Sequence, residues 1–282
     1  MPYTKAGTGR CRRRTFISSP ATPESTTQRP RLSVVIPCYN EERRLGPTLD
    51  TIAEFLRSKP YSWELVVVDD GSADATIAVA QARRAAGAPV RIFSYGTNRG
   101  KGHAVRTGML TGSGELLLLC DADLSTPIGE LDRLMARIDE GFDVAIGSRR
   151  AAGHHVKVPQ PFYRVFLGRI HSWLCHQFLV PHVQDFTCGF KLFKRHVCQD
   201  IIPRAIQDRW TYDPELVYLA HASGYKIAEV PVEWSNDPAT RVRLLQDVLG
   251  SLRGLAAIYT NHRLGLFLPE GGSSRNEPSR EL

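Results

Sequence analysis

Apolar residues fall in short continuous runs along the first half of the chain, and polar residues cluster where each run stops. Runs of this kind are typical of strands that are buried on both faces. They predict five strands, over residues 32–40, 63–72, 90–96, 115–123 and 143–149. The segments between them carry apolar residues at helical spacing and predict helices over residues 41–57, about 74–86, about 101–111 and 127–141. This alternation favours an α/β fold with a mostly parallel sheet and helices on both faces.

The second half of the chain has a less regular pattern. Aromatic and apolar residues recur at helical spacing over 162–178, between Arg and His residues. We predict a short strand within 187–195, a helix over 213–224, a strand over 226–234 and an amphipathic helix over 241–263. The tail from Pro269 is rich in Gly, Ser and Glu, and we expect it to be disordered.

The net charge of +7 on 282 residues comes almost entirely from a basic leader. Residues 1–31 hold seven Lys and Arg residues against one Glu, a net charge of +6. We expect this leader to be disordered or to contact an anionic membrane. The rest of the chain is close to neutral, which argues against a nucleic-acid-binding surface.

The sequence also limits the cellular context. No apolar run approaches the ~20 residues of a membrane span, and no secretory signal is visible, so we expect a cytoplasmic protein. The six cysteines form no C-x-x-C pair, and those beyond the leader have strand-like or helical neighbours, which favours reduced core thiols.

Two aspartates one residue apart, Asp121 and Asp123, follow the apolar run at 116–120. Their oxygens suit Mg²⁺ or Mn²⁺, which takes one or two carboxylates and fills its remaining positions with phosphate oxygens. A solvated turn is the alternative. Asp69 and Asp70 end a neighbouring strand, so a metal between the two acidic strand ends would bridge a diphosphate. A dinucleotide oxidoreductase is excluded, because the first strand is followed by PCYNEE rather than G-x-G-x-x-G.

Five stretches occur in an order that resembles inverting family 2 glycosyltransferases with the GT-A fold: VVIPCYNE, VVVDDGSADAT, NRGKGHAVRTGM, DADLSTP and AIGSR. Three later stretches resemble the dolichyl-phosphate β-glucosyltransferases and their prokaryotic polyprenyl-phosphate relatives: QDFTCGFKLFKR, RWTYDPELVYLA and EVPVEW. The resemblance implies one GT-A domain over 32–264, between the leader and a tail at 265–282. Residues 32–150 would bind the nucleotide sugar, and residues 151–264 would form the acceptor and membrane side.

The resemblance also implies roles for individual residues. Five are expected in or beside the nucleoside pocket: Pro37, Tyr39, Glu41, Asp69 and Asp70. Lys101, at the start of a helix whose free amides favour anions, would lie near the nucleotide. Asp121 would contact the nucleotide or the sugar, and Asp123 would ligate the metal. Arg149 would contact a phosphate, and Asp185 would stand near the reacting centre.

The acceptor side is expected to involve Trp210 and Asp213, with Arg241 as a polar contact. Several of these residues also have ordinary structural interpretations, because core aromatics, solvated charges, structural ion pairs and turns give the same pattern. This applies above all to Tyr39, Lys101, Arg149, Asp185 and Trp210.

The implied reaction is transfer of a hexose, favoured to be glucose from UDP-glucose, to a polyprenyl or dolichyl phosphate. An α-linked donor would give a β-linked product. A phosphate monoester is mostly dianionic at pH 7, since its second pKa is about 6, so Asp185 is expected to position the acceptor first and to accept a proton second. The alternatives are GDP-mannose or a UDP-N-acetylhexosamine as donor, a soluble hydroxyl acceptor, and a non-catalytic nucleotide-sugar-binding protein.

Membrane attachment is expected to be peripheral, at the cytoplasmic face. The amphipathic segments 162–178 and 241–263 would either lie in the membrane interface or simply cover the sheet. The eukaryotic relatives carry an N-terminal membrane anchor that the sequence does not show, so a membrane partner protein is a further expectation.

Overall fold

The computed structural model describes residues 29–151, 155–158, 172–177, 179–235, 253–261 and 264. The strands are β1 (Leu32–Cys38), β2 (Trp63–Asp69), β3 (Val90–Ser94), β4 (Leu116–Leu119), β5 (Val144–Ser148), β6 (His155–Val158), β7 (Lys191–Lys194), β8 (Ile227–Pro231) and β9 (Glu233–Ser235). The helices are α1 (Leu45–Arg57), α2 (Thr76–Ala85), α3 (Lys101–Thr111), α4 (Leu131–Asp139), α5 (172–177), α6 (Arg195–Ile201), α7 (Tyr212–Ala222) and α8 (253–261).

Seven strands form one sheet in the order β3-β2-β1-β4-β7-β5-β8, and β6 pairs with β9 in a separate two-stranded sheet. Strand β7 runs antiparallel to β4 and β5, and the other pairs of the large sheet are parallel. The carboxyl ends of β1, β2, β4 and β5 therefore meet at one edge. Strand β7 begins there, with Lys191 opposite Leu119 and Ile146. The predicted α/β fold with a mostly parallel sheet is confirmed.

The core lies on both faces of the sheet, as continuous apolar strands require. All seven residues of β1 are buried. Val35 belongs to a cluster with α3, α6 and α7, whereas Val34 and Ile36 belong to a cluster with α1, α2 and α4. Full burial of one such side chain contributes roughly 1.5–3 kcal/mol. The strands thus hold the polar turns at their ends in fixed positions.

The first four strands end two to four residues earlier than predicted, at Cys38, Asp69, Ser94 and Leu119. Three further element boundaries differ from the sequence prediction. Helix α1 begins at Leu45 rather than at 41, because residues 42–44 form a turn whose Arg44 amide donates to the carbonyl of Glu41. The helix predicted at 127–141 divides into a 3₁₀ turn, Ile128–Glu130, and α4. The strand predicted at 226–234 divides at Val232 into β8 and β9, which belong to different sheets.

Other predictions fall partly or wholly outside the described residues. Of the predicted helix at 162–178, residues 172–177 are described and helical, and of the helix at 241–263, residues 253–261 are described and helical. The leader up to 28 and the tail from 265 lie outside, as does Arg241. Within the described part of the chain, no helix is long and apolar enough to cross a membrane. The five cysteines among the described residues are free and buried, as predicted: Cys38, Cys120, Cys175, Cys188 and Cys198.

Candidate active site

The turn after β4 presents Asp121 and Asp123 at the carboxyl edge of the sheet. The Cys120 amide still donates to a β1 carbonyl, and the Leu124 amide donates to the carbonyl of Asp121, which closes the turn. Leu124 has a φ of 48°, an uncommon conformation for a non-glycine residue. The Asp123 Oδ1 accepts the amide of Ser125 at 2.9 Å. Among the described residues, its other carboxylate oxygen has no hydrogen-bond partner.

Lys101, the first residue of α3, reaches across to this turn. Its Nζ donates to the Oδ1 of Asp121 at 2.6 Å. The same ammonium lies 5.4 Å from the ring centroid of Trp210 and 6.0 Å from that of Tyr212, within range of cation–π attraction. Burial lowers the pKa of Lys101, but Asp121 and Asp213 raise it by more, so the net pKa is raised and the side chain stays charged.

The start of α3 is placed by Gly100. Its φ of 108° suits glycine, and a side chain there would meet the backbone carbonyl of Asp208. The Gly100 amide donates to the carboxylate of Asp70 at 2.9 Å. These contacts explain why the glycine-rich turn brings Lys101 to the sheet edge.

A second lysine lies behind Lys101. Lys191 at the start of β7 is fully buried, and its Nζ donates to Asp213 and, at 2.6 Å, to the carbonyl of Cys188. Burial raises the pKa of Asp213, and the opposing effects of Lys191 and Lys101 do not cancel that rise. The Lys101 and Lys191 ammonium groups thus alternate with the carboxylates of Asp121 and Asp213.

Arg149 and Asp185 form a buried ion pair at the end of β5. The Arg149 Nε and Nη2 donate to the two oxygens of Asp185 at 2.7 and 2.8 Å, and Nη2 also donates to the Thr187 hydroxyl. Asp185 is fully buried, and although burial raises its pKa, Arg149 lowers it by more. The guanidinium also lies 5.4 Å from the ring centroid of Trp234. Its Nη1 has no hydrogen-bond partner among the described residues.

The loop that carries Asp185 also lies against Asp121. Gly189 packs so closely on the Asp121 carboxylate that a side chain would overlap its oxygens. Glu229 of β8 accepts the amides of Gln184 and Asp185 at 3.0 and 2.9 Å, which fixes the other end of the loop. The ion pair and the Asp121 turn therefore belong to one site.

Asp69 and Asp70, at the end of β2, have their oxygens occupied by protein donors. Asp70 is 3% exposed and accepts Tyr95 Oη at 2.8 Å, Asn98 Nδ2 at 2.9 Å and the Arg99 and Gly100 amides. Asp69 accepts the Ser94 hydroxyl and the amide of Ser72. A metal bridging these carboxylates and Asp121 would have to displace those bonds. The structure thus gives no support to the predicted bridge, and both aspartates build loops.

The remaining predicted residues lie at the end of β1. Pro37 is buried within the strand, whereas Tyr39 is 41% exposed. Both oxygens of Glu41 accept hydrogen bonds from Arg44 at 2.6 Å. Asn40 has a φ of 54°, and its amide donates to the Ser72 hydroxyl. The ends of β1 and β2 are therefore joined, and Tyr39 is left with a face toward solvent.

The donor set fits a hard divalent cation. Asp123 offers a carboxylate oxygen to which no described residue donates, and Asp121 lies two residues away with one oxygen on Lys101. No group of three or more Asp, Glu, His or Cys side chains suited to hold a metal occurs among the described residues. This is typical of Mg²⁺ and Mn²⁺ sites that rely on substrate phosphates for the remaining positions.

Sequence reasoning did not identify several residues of the site. Lys191, Gly189 and Glu229 act through strands and loops that are adjacent only in the fold. Glu215 of α7 is fully buried and accepts the amides of Ile206 and Gln207, which holds the loop that carries Trp210. A lysine in an otherwise apolar strand, in GFKLF, was the one available signal for Lys191.

Comparisons with known proteins agree with this arrangement. A family model described as Glycosyl transferase family 2 matches residues 33–202. A Drosophila melanogaster protein named dolichyl-phosphate beta-glucosyltransferase is 34% identical over 251 residues, which cover 84% of this chain and 76% of that protein. The Homo sapiens protein of the same name is 33% identical over 218 residues, which cover 73% and 67% of the two chains.

A solved structure shares the fold. Glucosyl-3-phosphoglycerate synthase from Mycobacterium tuberculosis, in complex with Mn²⁺, UDP and glucosyl-3-phosphoglycerate, matches with a TM-score of 0.61 at 20% identity. The match covers 86% of this chain and 82% of that one. At this identity, the likeness concerns the fold alone.

Proposed function

Because this chain belongs to glycosyl transferase family 2 and is a glycosyltransferase of the dolichyl-phosphate β-glucosyltransferase branch, we propose that it transfers glucose from UDP-glucose to a dolichyl or polyprenyl phosphate. The names of its relatives support the sugar and the acceptor. The single observation that carries the proposal is the convergence of Lys101, Asp121 and Asp123 with the Arg149–Asp185 pair at one sheet edge.

The donor diphosphate would lie at the turn after β4. Lys101 offers an ammonium at a helix N-terminus, where free amides also favour anions. Asp123, with Asp121 beside it, would hold Mg²⁺ or Mn²⁺. When bound, the cation supplies positive charge to the departing diphosphate. The solved neighbour in complex with Mn²⁺ and UDP supports this assignment.

The acceptor phosphate would be held by cations rather than activated by a base. Its oxygen attacks the anomeric carbon opposite the leaving diphosphate, so an α-linked donor gives a β-linked product. Asp185 is a poor proton acceptor, because it is buried and its pKa is lowered by Arg149. Its task is to hold the guanidinium so that Nη1 is directed at a phosphate. This favours a phosphate acceptor over a sugar hydroxyl.

The acceptor side carries exposed apolar side chains. Trp210 is 42% exposed, Ile206 is 53% exposed, and both lie on the loop before α7. Gly254 of α8 packs on Thr211, so this helix lies beside the same loop and adds the exposed Tyr259. Such residues suit the interface of a bilayer. We therefore propose peripheral attachment at the cytoplasmic face, with or without a membrane partner protein.

A transfer assay tests the proposal. Purified protein is mixed with a short polyprenyl phosphate, Mg²⁺ or Mn²⁺, and radiolabelled UDP-glucose, GDP-mannose or a UDP-N-acetylhexosamine in parallel. Extractable labelled lipid is expected with UDP-glucose and is expected to vanish with a chelator. Product from a different donor alone would correct the sugar. Transfer to a soluble hydroxyl compound but not to the lipid would contradict the acceptor.

A further inference from the structure

Among the described residues, Lys101 makes the shortest hydrogen bond to the turn after β4, and the acceptor is a carboxylate. Its Nζ lies 2.6 Å from Asp121 Oδ1, and the two side chains are 26% and 29% exposed. Gly189 packs against the Asp121 carboxylate and so limits the space around it. The lysine thus stands where it neutralises an aspartate of the D-x-D turn.

The surroundings of Lys101 allow its ammonium a second position. The Trp210 and Tyr212 rings, at 5.4 and 6.0 Å, provide faces that stabilise a cation without fixing one geometry. Asp213, a second nearby carboxylate, is already bonded to the buried Lys191. An incoming diphosphate would therefore compete with a single strong partner of Lys101, the carboxylate of Asp121.

A divalent cation at Asp123 is repelled by Lys101 as long as the ammonium remains on Asp121. Asp121 and Asp123 are both close enough to act electrostatically on Lys101. Unit charges a few ångströms apart in a partly buried site interact by enough to change binding constants about tenfold or more. Moving or removing the lysine charge should therefore strengthen metal binding.

We propose that Lys101 is a tethered counter-ion that occupies Asp121 until the donor binds, and that its transfer from Asp121 to the donor diphosphate couples nucleotide binding to metal binding. This inference rests on the proposed function, since it names how the same site is regulated. Metal alone binds weakly because Lys101 already neutralises the turn. The diphosphate draws the lysine away and so completes the metal site that it also ligates. Coupling of this kind is reciprocal, so metal strengthens nucleotide binding by the same factor.

The test is a titration with Mn²⁺ in which free Mn²⁺ is measured by electron paramagnetic resonance, with and without UDP. Lys101→Met is compared with the wild type. Without UDP, Lys101→Met is expected to bind Mn²⁺ about tenfold more tightly. The factor by which UDP strengthens Mn²⁺ binding is expected to be about tenfold larger in the wild type than in the variant.

Two controls separate the lysine's position from its charge. Lys59→Met removes an equivalent lysine that bonds Asp132 at 2.7 Å and lies over the Phe55 ring, away from the site, and is expected to leave Mn²⁺ affinity unchanged. Lys101→Arg keeps the charge and is expected to bind Mn²⁺ as weakly as the wild type. Lys101→Gln provides a second neutral variant in case Lys101→Met does not fold.

Unchanged or weaker Mn²⁺ binding by folded Lys101→Met or Lys101→Gln without UDP would overturn the inference. That result would leave the proposed function intact, provided that UDP still strengthens Mn²⁺ binding to the wild type. Absence of any UDP-dependent Mn²⁺ binding to the wild type would instead contradict the proposed function.

Discussion

Two pairs of aspartates lie at the carboxyl ends of β2 and β4, which flank β1 in the same sheet, and the structure uses them in opposite ways. Asp69 ends β2 and Asp70 follows it, both are buried, and each accepts hydrogen bonds from side chains and amides of the surrounding loops. Asp121 and Asp123 follow β4 and are partly exposed, with one bond to Lys101 and one to the Ser125 amide.

The difference shows how to separate a structural carboxylate from one that is able to bind a ligand. A buried carboxylate whose oxygens are occupied by several donors stabilises the loops around it. A carboxylate that keeps an oxygen without a protein donor is available to a cation. Asp70 belongs to the first kind and Asp123 to the second, although both follow apolar strands.

The largest expected effect is on catalysis at the β4 turn. Asp123→Ala is expected to lower the rate of glucose transfer about 10³-fold, because the cation proposed to neutralise the leaving diphosphate would lose its ligand. The radiolabel assay measures this. The free energy of unfolding should change by less than about 1 kcal/mol, since the carboxylate accepts one amide only. If Asp123→Ala melted at a lower temperature but transferred glucose normally, Asp123 would be a structural carboxylate, contrary to this prediction.

A buried ion pair gives the next largest effect, on stability. Asp185→Asn removes the charge that Arg149 faces, and breaking such a pair costs about 3–5 kcal/mol. Chemical denaturation measures the loss. Arg137→Met, which breaks the exposed pair with Glu140, is the control and should cost less than about 1 kcal/mol. Equal losses of unfolding free energy in the two variants would contradict a stabilising role of the buried pair between Arg149 and Asp185.

The same pair predicts a pH dependence. The Asp185 pKa is lower in the folded protein than in the unfolded chain, where it is about 3.9. Its contribution to stability is therefore complete above the unfolded value and is lost as pH falls toward the folded one. The stability difference between wild type and Asp185→Asn should shrink below about pH 4. A difference that grows in acid would show that the carboxylate is not stabilised by Arg149.

Asp70→Asn tests whether the carboxylate after β2 stabilises the loops around it. An amide nitrogen would replace one of two oxygens that face only donors, and about 2 kcal/mol of stability should be lost. Thermal melting measures the loss, and Asp123→Asn is the matched control, with the same substitution at the other strand end. If both variants melted at the same temperature, the aspartates after β2 would stabilise the fold no more than those after β4, which would contradict the structural role of Asp70.

The smallest expected effect concerns the acceptor loop. Glu215→Gln weakens one of two bonds to the Ile206 and Gln207 amides and should cost about 1 kcal/mol. Because this loop carries Trp210, the KM for polyprenyl phosphate should rise while kcat changes less. Steady-state kinetics with varied acceptor separate the two constants. A fall in kcat with no change in KM would contradict a role of Glu215 in positioning the acceptor.

The sequence was sufficient to predict the layered fold, because continuous apolar strands and amphipathic helices are local patterns. It did not predict that β7 is inserted antiparallel between β4 and β5, because apolar spacing carries no information on strand direction. The division of 226–234 at Val232 depends on a pairing of β6 with β9 that joins residues far apart in the chain.

The site was predicted more by resemblance than by pattern. D-x-D after a buried strand indicated Asp121 and Asp123, but the donors that occupy Asp70 lie 25–30 residues further along the chain. Nothing local distinguishes such a carboxylate from an open one. The Arg149–Asp185 pair likewise joins residues 36 positions apart, so its geometry becomes visible only in the fold.

The contrast between Asp70 and Asp123 is tested most directly by isothermal titration calorimetry. UDP is titrated, with and without Mn²⁺, into wild type, Asp70→Asn and Asp123→Asn. We predict that Asp123→Asn loses the dependence of UDP affinity on Mn²⁺. Asp70→Asn should keep that dependence, even if its UDP affinity is lower because the loop held by Asp70 is displaced. Loss of the Mn²⁺ dependence in Asp70→Asn, together with its retention in Asp123→Asn, would contradict the account.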